Sequence, residues 1–386
     1  MRAPHPVGCP GTPMPSTATP ARPLAERLSQ PLVRWLRHPL VDNVVRLSAI
    51  EEALQLLRPT ASLTEVRARV LAVRDETPDT RTWLLQPNAL WRGHQAGQHV
   101  TVRTVRNGRR VQRPYSLSSA PDDGPLAITV KRQPGGLVSN HLHDALRVGD
   151  VVALGAAEGD FVLPAVPPAR LALLSAGSGI TPVMALLRAL RRLGHAGAVD
   201  FVHVCRTPQD LIFGDELRAL ASGCPELPGL RVHLHFSASA GRWTPAELAA
   251  AVPDWAGRPT WLCGPAAFMD AVDAHWAAHG ARAPLRRERF APAWTPPQPL
   301  EAPVIVQAQR AGRRFASTGA TSLLQQAEQA GLAPKHGCRI GICRSCQCVK
   351  RSGTVQNLQT GALSSEPNEL IRLCVSAARS DLTLDL

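Results

Sequence analysis

The sequence predicts three folded modules in series: an antiparallel β-barrel, an α/β unit on a parallel sheet, and a smaller α+β unit at the C-terminal end. Three observations carry this. Short runs of alternating apolar and polar residues fill Leu63 to Pro164, strands alternate with helices from Ala169 to Phe290, and four cysteines gather close to the C-terminus. At 386 residues the chain also exceeds the size at which single cores stop growing, about 250–300 residues.

In chain order, the first segment is rich in Pro, Thr and Ala, with no acidic group before Glu26, and is expected to be disordered; an organellar transit peptide is the alternative. From Pro31 to Leu57, Leu32, Trp35, Leu36, Leu40, Val44, Val45, Leu47, Leu54 and Leu57 recur at near-helical spacing. Two short helices broken at Pro39 would complete an extension over residues 1–62, packed on the body of the protein.

Residues 63–165 form the barrel, with strands at Val66 to Val73, His99 to Val105 and Leu126 to Val130. Residues 166–291 follow βαβ order: strand Leu171 to Leu174, helix Pro182 to Leu193, strand Val199 to Val204, helix Gly214 to Leu220. Pro292, Pro296, Pro297, Pro299 and Pro303 make residues 292–303 a semi-rigid linker. Residues 304–386 carry a strand at Val304 to Gln309, a turn at Gly312, a helix from Ser322 to Ala330 and a last strand at Leu382 to Leu386.

Composition excludes several roles. The net charge is +13, yet aromatics are only 4%, too few for the stacking platforms of a nucleic-acid binder, so no nucleic acid is expected. The longest candidate membrane span, Leu171 to Leu187, falls short of the roughly 20 residues needed and is broken by Gly177, Gly179 and Pro182; no transmembrane segment is expected. Nine cysteines are too sparse for a disulfide scaffold, so a reducing, cytoplasmic location is expected, with Cys9, Cys205 and Cys224 as free thiols.

The cysteine spacing is the most specific signal. Cys338, Cys343, Cys346 and Cys374 follow C-x4-C-x2-C…C, the arrangement that holds a [2Fe-2S] cluster in plant-type ferredoxins. Two sulfide-bridged irons need four thiolates, and one loop supplies three of them while Cys374 returns from elsewhere. A structural zinc site prefers paired C-x2-C units, which this spacing does not offer. Gly337 and Gly341 lend the loop permissive backbone. Cys348 reads as a small buried side chain rather than a fifth ligand.

Three further motifs surround nucleotide chemistry. Arg113-Pro114-Tyr115-Ser116-Leu117-Ser118-Ser119 offers a cation for phosphate, a flat ring and a hydroxyl along one strand. Gly135-Gly136-Leu137-Val138-Ser139-Asn140 opens a helix, where free N–H groups suit a pyrophosphate. Gly177-Ser178-Gly179-Ile180-Thr181-Pro182 links a strand to a helix but departs from the dinucleotide fingerprint Gly-x-Gly-x-x-Gly.

Taken in order with Cys263-Gly264-Pro265, these motifs closely resemble the ferredoxin-NADP reductase superfamily over Leu63 to Phe290, with a C-terminal plant-type ferredoxin module of β-grasp fold. The N-terminal extension and the ending from Leu373 to Leu386 look most like reductases that serve fatty-acid desaturases and oxygenases. The resemblance implies an FAD-binding barrel in which Arg113 and Pro114 meet the flavin pyrophosphate, Tyr115 covers the flavin and Ser116 faces its N5. Gly136, Leu137, Val138 and Ser139 would hold the FAD phosphates. Gly177, Ser178, Gly179, Thr181 and Pro182 would cradle the nicotinamide coenzyme. Cys263, Gly264 and Pro265 would sit at the transfer point, with Glu288 and Phe290 beside the flavin.

The implied reaction is electron transfer from NAD(P)H through FAD and the [2Fe-2S] cluster to a partner fatty-acid desaturase or monooxygenase, membrane-bound or not. The alternative is the reductase component of a ring-hydroxylating dioxygenase or other redox acceptor. A redox sensor is a third reading, against which the chain carries every part needed for turnover and no recognisable output domain. NADH versus NADPH stays open: Arg206 follows the second parallel strand, where a cation could meet a 2′-phosphate or could equally be solvated. A monomer is expected. Residues 301–386 hold ten basic groups against six acidic ones, and Arg339 and Arg344 lie in the cluster loop, so docking to an acidic acceptor surface is expected there.

Overall fold

The structure is a computed structural model that describes residues 47–106, 109–290, 297–337, 339, 341 and 345–386. The expected disordered segment, the break at Pro39, the first half of the linker, and Cys9, Cys338, Cys343 and Arg344 lie outside the described residues. The one described helix of the extension is α1 (Leu47–Leu57), tied to the barrel's start by Glu51, whose Oε1 accepts from the Leu63 N–H at 2.8 Å.

The first sheet has six antiparallel strands: β1 (Val66–Thr77), β2 (Thr80–Pro87), β3 (His99–Arg106), β4 (Arg109–Ser116), β5 (Leu126–Lys131) and β6 (Val151–Glu158), in the order β4-β3-β6-β1-β2-β5. Alternation works as the sequence predicts: Ala68, Val70, Val100, Val102 and Leu154 all point into one core. A bridge between Leu117 and Ile128 joins the two outer strands and closes the barrel. Helix α2 (Leu137–Ala145) plugs it with Val138 and Leu142.

The second sheet is wholly parallel: β7 (Arg170–Ala176), β8 (Ala198–Cys205), β9 (Leu230–Phe236), β10 (Thr260–Cys263) and β11 (Leu285–Glu288), in the order β11-β10-β7-β8-β9. Its central strands β7 and β10 read as nearly continuous apolar runs because both faces are covered, whereas β9 alternates and the edge strand β11 is mostly charged. Helix α3 (Ile180–Arg192) packs Val183, Met184, Leu187 and Leu190 on Leu171, Leu173 and Phe201. The second flanking helix on that side is α4 (Gly214–Ala221), and α5 (Ala266–Ala278) covers Leu174, Val202 and Leu262 on the other. Asp200, fully buried near the N-terminal end of β8, binds Arg231 and His233 and also pairs with Arg258. This cluster sits at the end of the sheet away from ligand and is structural.

One brace fixes the two sheets relative to each other. Arg188 on α3 grips Glu216 of α4 through Nε at 3.1 Å and Nη2 at 2.5 Å, while its Nη1 donates to the Ser118 carbonyl of the barrel at 2.5 Å. Its guanidinium lies 4.6 Å from the centre of the Phe213 ring. Phe213 is left-handed, with φ +58°, and donates its N–H to Glu76 Oε2 of β1 at 3.3 Å.

The third module begins with β12 (Val304–Ala308) and β13 (Arg313–Ser317), followed by α6 (Leu323–Gln329), which Ser322 caps by accepting from the Gln325 N–H. Then come β14 (Gln347–Ser352), β15 (Val355–Asn357), β16 (Leu363–Ser364), β17 (Glu369–Arg372), β18 (Ser376–Ala378) and β19 (Leu382–Leu384). They build a mixed sheet, β13-β12-β19-β14-β17, and a small one, β16-β15-β18. The last strand enters between β12 and β14, parallel to the first. No helix among the described residues is long and apolar enough to cross a membrane.

Candidate functional site

A cavity of about 700 Å³ opens between the barrel and the C-terminal ends of the parallel strands. This is where α/β sheets place ligands, and the size falls in the usual range for small-molecule and cofactor sites. From β4 come Arg113, Pro114, Tyr115 and Ser116; from the start of α2 come Gly136, Leu137, Val138 and Ser139. From the parallel sheet come Ser178, Thr181, Gly264, Pro265, Glu288 and Phe290. Motifs spread over much of the sequence therefore line one space.

At its centre the two modules meet. Ser116, buried at the end of β4, donates from Oγ to Glu288 Oε2 at 3.3 Å, and Glu288 ends the edge strand β11. Burial pushes the Glu288 carboxyl above its ordinary range; Ser116 and His99 oppose that rise, and the charge of Asp160 adds to it. Tyr115 packs against the barrel core, and its burial drives the phenol far above its usual range, so it stays neutral.

His99 is the residue that the sequence reading missed. It is 3% exposed, sits directly across from Ser116 in the β3–β4 register, and brings Nδ1 to 3.7 Å from Glu288 Oε1, longer than a hydrogen bond. Gly159, with φ +114°, leaves room for the ring: a Cβ there would press on its Nδ1 and Cε1. The available signal was its position at the head of an alternating strand, which shows which face it shares but not what lies across that face. Lys131, Gln133 and Arg289 also line the cavity.

Two helix starts face this region without a side-chain cap. Gly136 precedes α2 and Gly179 precedes α3, and neither N-terminus is satisfied by a capping side chain. Free N–H groups at such ends favour phosphate. A Cβ at Gly136 would force the Ser139 hydroxyl to turn away, and Gly179 admits no Cβ because it would collide with the Cys263 carbonyl. Gly177 adopts φ +52° with open space before it, allowing the strand to turn into the helix.

Not every expected residue lines the cavity. Cys263 is fully buried at the end of β10, in register with Ser175 and Glu288, and burial, with the charge of Glu288, holds its thiol well above the ordinary range. Gly264 and Pro265 carry that chain segment to the cavity in its place. Gly177, Gly179 and Pro182 shape the turn behind the lining. Arg206 is exposed beyond β8, away from this cavity, where its carbonyl accepts from the Ala238 N–H at 2.9 Å.

In the third module, Cys346 and Cys374 bring their sulfurs to 3.1 Å within an apolar core that also holds Leu373 and Val375. That separation is too long for a disulfide and places two soft donors side by side. Cys348 is buried, and burial chiefly pushes its thiol up to about 11. The loop also touches the barrel: Gln112 Nε2 donates to the His336 carbonyl at 3.1 Å and to Ser345 Oγ at 3.3 Å, and Arg113 Nη1 donates to the Gly337 carbonyl at 3.2 Å. Arg339, expected to present its charge outward, instead chelates Glu328 at 2.9 and 2.7 Å.

The cavity volume, the uncapped helix starts and the flat Tyr115 fit a flavin nucleotide with a nicotinamide coenzyme against it, and the paired sulfurs of Cys346 and Cys374 fit two corners of a cluster. Comparison with known proteins agrees. Residues 68–163 match the oxidoreductase FAD-binding domain, residues 173–274 the oxidoreductase NAD-binding domain, and residues 306–379 the 2Fe-2S iron-sulfur cluster binding domain. The chain is 38% identical over 343 residues to an NADPH oxidoreductase of Mycobacterium tuberculosis, covering 87% of this chain and 88% of that one. It is 30% identical over 351 residues to the glycine betaine monooxygenase reductase subunit of Pseudomonas aeruginosa, covering 82% and 94%. Among solved structures it is similar to phthalate dioxygenase reductase, with a TM-score of 0.60 at 25% identity, covering 84% of this chain and 98% of that one.

Proposed function

For a chain that belongs to the ferredoxin-reductase family of NAD(P)H oxidoreductases, with FAD-binding, NAD-binding and C-terminal 2Fe-2S domains, we propose that the electron acceptor is a separate oxygenase. FAD, when bound, accepts a hydride and releases electrons singly, the conversion that links a two-electron nicotinamide to a one-electron cluster. The chain's own residues do the rest. Ser116 presents a hydroxyl to the flavin ring, Glu288 holds that hydroxyl and can hold a proton at Oε2, and Tyr115 shields the ring from water.

The observation that carries the reading is the Ser116–Glu288 hydrogen bond at 3.3 Å, which places residues of both nucleotide-binding modules at one point of one cavity. Arg113 and the N-termini of α2 and α3 would neutralise phosphates. Cys338, Cys343, Cys346 and Cys374 would hold the cluster. Arg206, at the C-terminal side of the parallel sheet, would favour NADPH by pairing with its 2′-phosphate, in keeping with the NADPH oxidoreductase relative.

The acceptor class rests on the relatives that serve glycine betaine monooxygenase and 3-ketosteroid-9-alpha-monooxygenase. A fatty-acid desaturase at a membrane surface is the finer form of the same reading, and a ring-hydroxylating dioxygenase is the alternative favoured by the likeness to phthalate dioxygenase reductase. We take the protein to act as a monomer. Purified oxygenases of both kinds and a desaturase in vesicles, offered in turn with their substrates, test this. The reading expects substrate-dependent NAD(P)H consumption with one of them; no stimulation by any would contradict it.

A further inference from the structure

We propose that Gln112 seats the cluster loop on the strand that lines the FAD cavity, so that electrons cross between the two at the contact of β4 with residues 336–345. The inference rests on the electron pathway proposed above and names a positioning residue within it.

Three facts carry it. Gln112 has one side-chain –NH2 with two hydrogens, and it meets two acceptors, the His336 carbonyl and Ser345 Oγ. A carbonyl can only accept, so the amide nitrogen must face the loop. These two acceptors lie on either side of Cys338 and Cys343 in sequence, so a single side chain ties both limbs of the ligand-bearing loop. Finally, the neighbouring Arg113 lines the cavity and donates to the Gly337 carbonyl, one residue before Cys338. A covalent and hydrogen-bonded path therefore runs from the cavity wall to the first ligand cysteine.

The contacts of β4 with this loop are hydrogen bonds. Residues 298 and 300 bind Arg379 and Thr318 of the third module itself. Gln112 and Arg113 are barrel groups that hold the module in place. The electron balance requires repeated use of this contact. A hydride carries two electrons, each cluster reduction takes one, and so every NAD(P)H oxidised sends two electrons across in turn and leaves one proton for solvent.

The test uses the protein loaded with FAD and cluster. NADPH is mixed anaerobically with wild type, Gln112→Glu, which keeps the shape but lacks both donors, and Gln112→Arg, which restores donors. Flavin bleaching and cluster reduction are followed separately, and backbone hydrogen exchange is read over residues 333–347. Gln112 does not line the cavity, so flavin bleaching should be unchanged in all three. In Gln112→Glu, cluster reduction should slow at least several-fold, because one-electron transfer falls steeply with distance, and exchange in the loop should rise. Gln112→Arg should recover both. Wild-type cluster reduction in Gln112→Glu, or slowing without a change in exchange, would overturn the proposal. Failure of the wild type itself to pass electrons from flavin to cluster would instead overturn the pathway on which it rests.

Discussion

Ser116 and Glu288 lie 172 residues apart in the chain and meet across the seam between barrel and parallel sheet, hydroxyl to carboxylate at 3.3 Å. Arg188 bonds the two modules together close by, at the Ser118 carbonyl two residues beyond Ser116.

The carboxyl of Glu288 provides a pH test. Burial raises its folded value above the ordinary 4.5, so the folded state binds this proton more tightly than the unfolded chain. Ionising it therefore costs no stability below about 4.5, and an increasing amount as pH rises through the raised value. His99, Asp160 and Cys263 face the same carboxyl, and none of them is changed by Glu288→Gln. The variant should gain in Tm relative to wild type as pH goes from about 5 to about 8, while flavin reduction by NADPH falls by roughly 100-fold. An equal Tm difference at both pH values would show that the carboxyl is not strained by ionisation.

Gly179 is legible twice, in the sequence motif and in the structure, where a Cβ would strike the Cys263 carbonyl. Gly179→Ala should cost about 1–3 kcal/mol through forced backbone movement and weaken NADPH binding. Thermal unfolding and NADPH titration measure the two effects; a fully stable variant with normal coenzyme affinity would remove the glycine from the account.

Arg206 is the residue proposed above to favour NADPH. Arg206→Ala should raise the KM for NADPH, but not for NADH, by about 1.5–3 kcal/mol, roughly 10- to 100-fold. Identical shifts for both coenzymes would make Arg206 a bystander.

Arg339 corrects an expectation drawn from charge alone. Its two-pronged bond to Glu328 pulls the guanidinium back onto α6, and a left-handed φ of +62° accompanies that turn. Arg339→Gln should leave the salt dependence of acceptor reduction unchanged and lower cluster stability by no more than about 1 kcal/mol, since the pair is partly solvated. Loss of salt dependence in this variant would restore Arg339 as a docking residue.

Local periodicity made β1, β3, β5, β7, α3, β8, α4, β12, α6 and β19 readable but not the remaining strands, and the motifs named most of the cavity: Arg113, Tyr115, Ser116, Gly136, Ser139, Ser178, Thr181 and Glu288 all line it. What the sequence hid was tertiary. His99 reaches Glu288 only because β3 pairs with β4 in one particular register, and Gln112 reaches His336 across a separation of 224 residues. Cys263 was readable as a motif position but not as a buried side chain, because orientation at a strand end depends on how Gly179 lets the next loop approach.

The central claim is that FAD and cluster work in series, and Cys374→Ser tests it most directly. Loaded wild-type protein and the variant are mixed anaerobically with NADPH while flavin and cluster absorbance are recorded, and then assayed with ferricyanide and with a one-electron protein acceptor. The account predicts flavin bleaching followed by cluster reduction in the wild type. In the variant, flavin bleaching and ferricyanide reduction should be nearly normal and delivery to the protein acceptor lost. Normal delivery without the cluster, or equal loss of every activity, would contradict it.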